Sequence, residues 1–500
     1  MVNKVLSATP LGYGGALIEV EGDSNRGLPG FQIVGMGNKT IDEAKERVRS
    51  AINNSNLTFP NKKVTINLAP AELPKDGTGF DLPIALSVLI LSNQLLQQDV
   101  VGKLFIGELA LDGSIRPVRG IIHVVETAKL NNISTVVLPE ANLSQAKLVS
   151  DIELVGVRNL KELFLWLKGE IQLKNNDTLN NPPTKQLNPT ILDHIHGQEQ
   201  AKRALTIAIA GRHNILISGP PGVGKTMLAK AAVNLLPPLS DTEKLAVTKI
   251  HSVAGDIDNI VHERPFRAPH HSASATSVIG GGSKPKPGDI SLAHLGVLFL
   301  DELPEYPRNV LEALRQPLED KNVTISRTRY KLNYPADFML IATMNPCPCG
   351  FLGDPDHECT CTSTQILAYQ KRLSGPLLDR IDLVVSVSRV ANKDLNTPVL
   401  LSDSQHKKAL SEIQTSLSQQ RERFSCSNIY NSSLSSHDTS VKLHVDDNAR
   451  HILDVASDKL KLSARAYFKV IKVAQTIADM QGDEAITETH IGEALQYRLK

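Results

Sequence analysis

The chain has 500 residues, a length that suggests about three domains. Hydrophobic residues make up 41% and charged residues 21%, which excludes disorder of the whole chain. The longest apolar stretch, residues 82–91, is about half the length of a membrane-spanning helix. The first residues do not have the apolar run of a secretion signal. We therefore expect a cytoplasmic protein without a membrane partner. The 54 basic and 53 acidic residues nearly cancel, so nucleic acid could be bound only by a local basic patch.

Changes in composition divide the chain into three domains of α/β, α/β and α-helical character. Residues 1–172 alternate between strand-like and helix-like runs. Residues 173–190 are rich in Asn and Pro and lack an apolar period, which predicts a linker. Residues 191–395 alternate again, as in a parallel α/β sheet. Residues 396–500 carry amphipathic helical patterns, which predict a C-terminal helical domain.

A phosphate-binding loop is predicted where GPPGVGKT follows the strand-like NILIS and precedes a helical run. Its glycines let backbone N–H groups approach phosphate oxygens at the start of a helix. Lys225 is expected to reach the β- and γ-phosphates of ATP, and Thr226 to hold Mg²⁺. The nucleotide-binding residues predicted from this motif are Gly219, Pro220, Pro221, Gly222, Val223, Gly224, Lys225 and Thr226.

Four further residues, in three segments, are the other candidates for a phosphoryl-transfer site. The strand-like VLFLDE should deliver Asp301 to Mg²⁺ and Glu302 to the attacking water. IATMN ends in Asn345, which could orient that water, although an Asn-Pro turn would leave the same pattern. Arg380 in GPLLDRID could act on the γ-phosphate of a neighbouring subunit, or form an ordinary surface salt bridge.

A basic hairpin is predicted over VTISRTRYKLNYP, residues 323–335, because its residues alternate in character. Arg327, Arg329 and Lys331 lie near its tip and are the candidate DNA contacts, which would grip phosphates without reading bases. Lys321 extends this cluster, and residues 262–288 add Arg264, Arg267, His270, His271, Lys284 and Lys286. A solvated edge hairpin is the structural alternative.

Four of the five cysteines fall within fifteen residues, at Cys347, Cys349, Cys359 and Cys361. Four thiolates can bind Zn²⁺ tetrahedrally, although the C-x-C spacing is tighter than the usual C-x-x-C. Reduced structural thiols and a redox switch are the other two interpretations, which the sequence leaves open. Cys426 lies apart, in a Ser-rich stretch, and has no predicted role.

The order of these motifs resembles that of the AAA+ ATPases, with a P-loop α/β core and a C-terminal helical lid. In this resemblance LSARAYFKVIKVAQTIAD carries the second sensor helix, which makes Arg465 a candidate γ-phosphate sensor. RPFRAPHHSAS, NPCPCGFLGDPDHECTCT and LSGPLLDRIDL are similar, more closely, to the magnesium-chelatase-like ComM/YifB family. That family implies Mg²⁺–ATP, a homohexamer stabilised by ATP, single-stranded or branched DNA, and helicase activity in branch migration during natural transformation.

The first domain resembles the Lon-type protease fold through PKDGTGFDLPIAL and GELALDGSIRPVRGIIHVVETAK. The positions that match the protease nucleophile and its lysine are Gly79 and Ile122, so a Ser–Lys dyad cannot form. We therefore expect a Lon-like domain without peptidase chemistry. The main alternative for the whole chain is a chelatase-type motor that remodels a protein partner, and a non-enzymatic scaffold is a third.

Overall fold

The computed structural model is described over most of the chain. The described residues are 2–35, 38–73, 75, 78–173, 192–255, 260–282, 286–326, 331–354, 356–390, 404–426 and 429–498. Arg327 and Arg329 lie outside them, as do Lys284 and all but the first residue of the predicted linker. In this part of the chain no helix combines the length and the apolar character needed to cross a membrane.

The first domain is built on a seven-stranded mixed sheet with the spatial order β3-β4-β2-β1-β5-β8-β9. The strands are β1 (Asn3–Leu11), β2 (Gly14–Asn25), β3 (Gly30–Val34), β4 (Lys63–Ala69), β5 (Lys103–Phe105), β6 (Glu108–Leu109), β7 (Ile115–Arg116), β8 (Thr135–Pro139) and β9 (Glu153–Val157). The short strands β6 and β7 form a separate antiparallel pair. The helices are Asn38–Asn54, Asp81–Leu91, Gln97–Val100, Ile121–Leu130, Leu143–Ala146 and Leu160–Leu167, with a 3₁₀ turn at Glu140–Asn142.

Burial in this domain follows the hydrophobic pattern of the sequence. Strand β4 alternates between buried and less buried residues, as one covered face of a sheet requires. Helix Asp81–Leu91 is apolar all round and lies in the core. A Cβ at Gly79 would lie 3.3–3.5 Å from Ile106 and Val118, and Ile122 is fully buried in the same apolar cluster. Hydrocarbon thus surrounds the two positions that match the protease dyad.

The second domain is a parallel five-stranded sheet with the order β11-β14-β17-β10-β18, the P-loop strand β10 lying between β17 and β18. Its strands and two small antiparallel pairs are β10 (Ile215–Ser218), β11 (Phe266–Arg267), β12 (Gly280–Gly281), β13 (Lys286–Pro287), β14 (Val297–Leu300), β15 (Asn322–Ser326), β16 (Lys331–Pro335), β17 (Met339–Met344) and β18 (Leu383–Ser386). The helices are Glu199–Gly211, Lys225–Leu235, Asp241–Ala254, Ala275–Ile279, Asp289–Leu292, Arg308–Ala313, Arg315–Asp320, Ser363–Gln370 and Gly375–Leu378, with a 3₁₀ turn at Leu303–Glu305.

The C-terminal domain is helical, as its amphipathic patterns predicted. Its helices are Gln405–Phe424, Ser436–Lys442, Asp447–Leu460, Ala464–Gln481 and Glu488–Gln496, with a 3₁₀ turn at Asn431–Ser433. Their apolar faces share one hydrophobic cluster with helix Glu199–Gly211 and the P-loop strand. Arg203 of that helix binds Glu412 and Glu493, each at 2.9 Å, so the helical domain is held directly on the ATPase core.

The first domain also contacts the ATPase core, at helix Asp241–Ala254 and at the hairpin β15–β16. The backbone N–H of Gly120 donates to Ser252 Oγ at 2.9 Å. Lys249 pairs with Glu126, and its Nζ lies 4.0 Å from the centre of the Tyr13 ring. Tyr13 and Leu11 pack on the cluster that contains the core-facing residues of the hairpin. A Cβ on Gly12 would lie 3.4 Å from Leu332, so strand β16 of the hairpin is in contact with the first domain.

Candidate functional site

The predicted phosphate-binding loop connects β10 to helix Lys225–Leu235. Gly224 precedes this helix with φ +88°, a backbone conformation that favours glycine. A Cβ on Gly219 would lie 2.4 Å from the carbonyl oxygen of Val387, so only glycine fits against the segment that follows β18. The start of an eleven-residue helix faces the loop, as anion binding requires.

Lys225 is held within this loop. Its Nζ donates to the carbonyl oxygens of Gly219 at 2.6 Å and Pro220 at 3.0 Å, and to Asn345 Oδ1 at 2.8 Å. Burial lowers the pKa of Lys225, and the nearby carboxylates of Asp301 and Glu302 act in the opposite direction. The structure thus brings the predicted Asn345 to the predicted Lys225 from 120 residues away.

Asp301 lies next to Thr226, where both can ligate one cation. Thr226 Oγ1 donates to Asp301 Oδ2 at 3.3 Å, and Thr343 Oγ1 donates to Asp301 Oδ1. The same Thr343 hydroxyl accepts from the backbone N–H of Glu302 at 3.0 Å. A hydroxyl and a carboxylate are the oxygen ligands that Mg²⁺ uses beside nucleotide phosphates. Sequence reasoning missed Thr343, whose signal is a fully buried hydroxyl in an apolar strand.

Glu302 sits directly after β14 with φ +54°, a strained conformation for a residue that is not glycine. Its carboxylate is 47% exposed, and His271 Nδ1 lies 3.9 Å from it. The rings of His270 and His271 are 4.1 Å apart. His271, grouped in the sequence with basic residues that could grip DNA, thus lies near the predicted catalytic glutamate, and its contact with DNA stays a prediction.

Arg380 and Arg465 meet at one carboxylate, Glu319, which sequence reasoning did not single out. Arg465 approaches it at 2.9 Å, and Arg380 forms a second ion pair with it. A cavity of about 500 Å³ opens beside the three side chains. Arg465 therefore lies with Arg380 and not with Lys225.

The arginine pair lies at the opposite edge of the sheet from the phosphate-binding loop. Asn214, the residue before β10, donates through its side chain to the carbonyl oxygen of Arg380 at 2.9 Å. The loop begins at the other end of β10, after Ser218. A strand of this length spans about 13 Å. Within one chain the two arginines thus face away from their own Lys225.

The basic residues are less concentrated than the sequence suggested. Lys331 is exposed at the start of β16, whereas Arg327 and Arg329 lie outside the described residues. Lys321 lies at the base of the hairpin, where it pairs with Asp337 at 3.2 Å. Arg264 is buried and pairs with Glu243 at 3.0 Å, so its inclusion in a DNA-binding segment was wrong.

The four clustered cysteines converge. Their sulfur atoms all lie within 4.8 Å of one another, and Cys347 is fully buried. Cys347 Sγ is 3.3 Å from Cys349 Sγ and 3.7 Å from Cys359 Sγ, and the last two are 3.6 Å apart. Four sulfurs at the Zn–S distance of about 2.3 Å would be about 3.8 Å apart, so the donors fit tetrahedral Zn²⁺. Cys426 is exposed and stands apart from this cluster.

A cavity of about 590 Å³ lies beside β10, and Ser218 and Gln200 contribute to its lining. Its volume is in the range of sites for small molecules. Gln200 belongs to residues 194–205, HIHGQEQAKRAL, which resemble the segment that packs near adenine in AAA+ ATPases.

Comparison with known proteins matches each part of the chain to one protein family. The family described as "Magnesium chelatase, subunit ChlI" matches residues 191–395, "Subunit ChlI of Mg-chelatase" matches 20–142, and "Magnesium chelatase, subunit ChlI C-terminal" matches 404–498. The chain is 40% identical over 500 residues to "Competence protein ComM" of Haemophilus influenzae, covering 99% of this chain and 97% of that protein.

Two further relatives fit the same assignment. "Uncharacterized protein YifB" of Escherichia coli is 41% identical over 493 residues, which cover 98% of this chain and 95% of that protein. "Lon protease 2" of Bacillus subtilis is 27% identical over 199 residues, which cover 34% of this chain and 35% of that protein. With the P-loop sheet, the acidic pair after β14 and the helical lid in place, this chain belongs to the magnesium-chelatase-like ComM/YifB family of AAA+ ATPases.

Proposed function

We propose that this chain is a cytoplasmic ATP-driven ring motor that acts on DNA, a homohexameric helicase that promotes branch migration during natural transformation or recombination. The observation that supports the proposal is that Arg380 and Arg465 lie at the edge of the sheet opposite the phosphate-binding loop. Lys225 and the acidic pair face one edge, and Arg380 with Arg465 faces the other. A closed ring places these edges against each other at every subunit interface.

The loop edge supplies binding and chemistry. Backbone N–H groups of residues 219–226 and Lys225 would hold the phosphates of ATP, and Thr226 with Asp301 would ligate Mg²⁺. Glu302 would accept a proton from the attacking water, and Asn345 would orient that water. In the described structure Lys225 contacts Asn345, and nucleotide would take the place of this contact. When held by Thr226 and Asp301, Mg²⁺ would supply positive charge beside the phosphates of ATP.

The arginine edge would complete the site of the next subunit. Arg380 and Arg465 would leave Glu319 and bind the γ-phosphate there, which couples hydrolysis to assembly. We also propose the domain limits 1–172, 191–395 and 396–500, with 173–190 as the linker. Zn²⁺ in the cluster of Cys347, Cys349, Cys359 and Cys361 is the second metal proposed for this chain.

DNA is the proposed substrate because basic residues cluster in the sequence of the β15–β16 hairpin, in a chain of nearly zero net charge. Arg327, Arg329 and Lys331 would contact phosphates, and Tyr330 would stack on a base. The first relative's name refers to competence, which agrees with a role in handling DNA. Strand β16 of the hairpin also contacts the Lon-like domain at Gly12, so both would line the path of the DNA.

The test is DNA affinity and DNA-stimulated ATPase as functions of salt, for wild type and for the triple variant R327A/R329A/K331A. Each lost phosphate contact should lower the salt slope by about one unit, similarly for all sequences. The matched control removes three exposed positive charges from helix Gln405–Phe424, as K407A/K408A/R421A. Basal ATPase should survive in both variants, because neither touches the nucleotide site.

A chelatase-type motor that remodels a protein partner is the alternative. It is favoured by the family descriptions that match all three parts of the chain. Wild type that binds no DNA at low salt, yet hydrolyses ATP, would reject the DNA motor and favour this alternative. Equal salt slopes for wild type and the hairpin variant would place the DNA contacts elsewhere.

A further inference from the structure

The four-cysteine cluster is joined directly to the nucleotide site through the end of β17. Asn345 follows this strand, and Cys347 is only two residues further along the chain. The backbone N–H of Gly219 donates to the carbonyl oxygen of Met344 at 3.2 Å, so the phosphate loop is hydrogen-bonded to the end of β17. Cys347 therefore lies close along the chain to Asn345, whose side chain contacts Lys225.

The turn formed by residues 347–350 packs against the phosphate-binding loop. It is closed by a hydrogen bond from the Gly350 N–H to the Cys347 carbonyl oxygen at 3.0 Å. A Cβ on Gly350 would lie 2.8 Å from Pro221 Cδ and 3.9 Å from Asn345 Cγ. This turn therefore contacts both the phosphate-binding loop and Asn345, the proposed water-orienting residue.

The segment between Gly350 and Cys361 is held by contacts of its own. Asp354, whose side chain is 1% exposed, pairs with Arg389 at 3.0 Å, just beyond β18. Phe351 stacks on His357 at a ring distance of 4.9 Å. His357 lies 3.9 Å from Asp354 and is not part of the sulfur cluster. This ion pair anchors Asp354, while contacts within the cluster connect Cys359 and Cys361 back to the 347–350 turn.

We propose that a Zn²⁺ ion bound by Cys347, Cys349, Cys359 and Cys361 holds the 347–350 turn against Pro221 and Asn345, and thereby controls the rate of ATP hydrolysis. Each thiol releases its proton to solvent as its sulfur binds the metal. The inference rests on the proposed role of Asn345 in hydrolysis. Because Lys225 and the loop backbone bind phosphate without help from the cysteines, loss of the metal lowers kcat and leaves ATP affinity nearly unchanged.

The first measurement is the zinc content of the full chain purified without added metal, read by atomic emission beside a free-thiol count. One Zn²⁺ per chain is expected, and C359S should lose it whereas C426S should keep it. Stripping zinc from wild type with a chelator should lower kcat about ten- to a hundredfold, because a displacement near 1 Å at a reacting group has that effect. Reloading with Zn²⁺ should restore kcat, and binding of a fluorescent ATP analogue should stay the same throughout.

The second measurement leaves every sulfur in place. Gly350 and Gly353 have similar positive φ values, +86° and +80°, but nothing lies within 4 Å of a Cβ added at Gly353. G350A should therefore retain zinc and lose kcat, whereas G353A should retain both. This pair separates the contact with Pro221 from backbone strain that both variants share.

The outcomes distinguish this inference from the proposed function. Wild type without zinc, or with a disulfide that accounts for two of the thiols, overturns the metal site. Zinc-bound wild type whose kcat survives complete stripping, or equal kcat in G350A and G353A, overturns the positioning role. A chain that binds one zinc and ATP but never hydrolyses ATP would instead refute the proposed motor, since the metal measurements do not depend on turnover.

Discussion

The division of the ATP site between two sheet edges can be tested by mixing variants. R380A removes a guanidinium from the arginine edge, and K225A removes the ammonium from the loop edge. Each pure variant should hydrolyse ATP poorly, since an arginine that acts on a neighbour's γ-phosphate contributes about 10³–10⁵ in kcat. K225A should also fail to bind ATP productively, whereas R380A should bind it.

A mixture of the two variants should regain activity by an amount that the geometry fixes. An intact site needs Lys225 from one subunit and Arg380 from the next. With equal amounts and random assembly, half of the loop edges and half of the arginine edges are intact, so about a quarter of the interfaces carry both, whatever the ring size. If Arg380 served its own Lys225, no intact site would form and no activity would return.

The assay is ATP turnover in mixed rings whose co-assembly is shown by energy transfer between labelled subunits. The matched control mixes K225A with E302Q, whose lesions lie on the same edge of the same sheet. Every subunit in that mixture carries one lesion on its loop edge, so no interface has an intact loop edge. The control mixture should therefore stay inactive. Absence of rescue in co-assembled R380A and K225A, or equal rescue in the control, would refute the division of the site. A mixture of R465A with K225A should likewise have about a quarter of its interfaces intact.

Three further outcomes are expected. E302Q should retain ATP but stop turnover, because an amide cannot accept the proton of water, and nucleotide retention on a filter beside turnover checks this. The full chain should degrade no unfolded protein with ATP, because Gly79 and Ile122 replace a dyad, and a single cleaved casein band would be evidence against it. Acid should destabilise the folded chain between about pH 6.5 and 4. Burial lowers the pKa of His123 to about 3 and that of His294 to about 4. In the unfolded chain both histidines take up a proton near pH 6.5, so protonation favours unfolding. Each histidine then lowers the free energy of unfolding by about 1.4 kcal/mol per pH unit as pH falls, and H123F should flatten the dependence seen in denaturant titrations.

The parts of the site that are contiguous in sequence could be predicted. The phosphate loop is eight successive residues between a strand and a helix, so all of its phosphate-binding groups lie in one short segment of the sequence. Asp301 and Glu302 follow β14 directly, and the carboxyl ends of parallel strands meet at one edge. The helical C-terminal domain was predicted from its amphipathic period.

The parts that depend on strand register could not be predicted in this way. Thr343 orients Asp301 and Glu302 only because β17 pairs beside β14, and a buried threonine alone does not reveal that neighbour. Arg264 was misassigned for a related reason, since a positive charge in a sequence does not show the buried Glu243 that neutralises it. Glu319 escaped notice because its two partners are 61 and 146 residues away.

In the proposed ring, Glu319 would hold Arg380 and Arg465 until a neighbouring subunit binds. Two guanidinium groups share this one carboxylate, so the edge keeps an excess positive charge even when both ion pairs are formed. Arg465 and Glu319 are each about half exposed, and such exposed pairs contribute only about 0.2–1 kcal/mol. The γ-phosphate of a neighbouring subunit offers more negative charge and forked acceptor oxygens in a site closed from water, where charge-assisted bonds are stronger. Exchange of Glu319 for phosphate is therefore favourable only on assembly, which is the condition under which a ring motor should hydrolyse ATP.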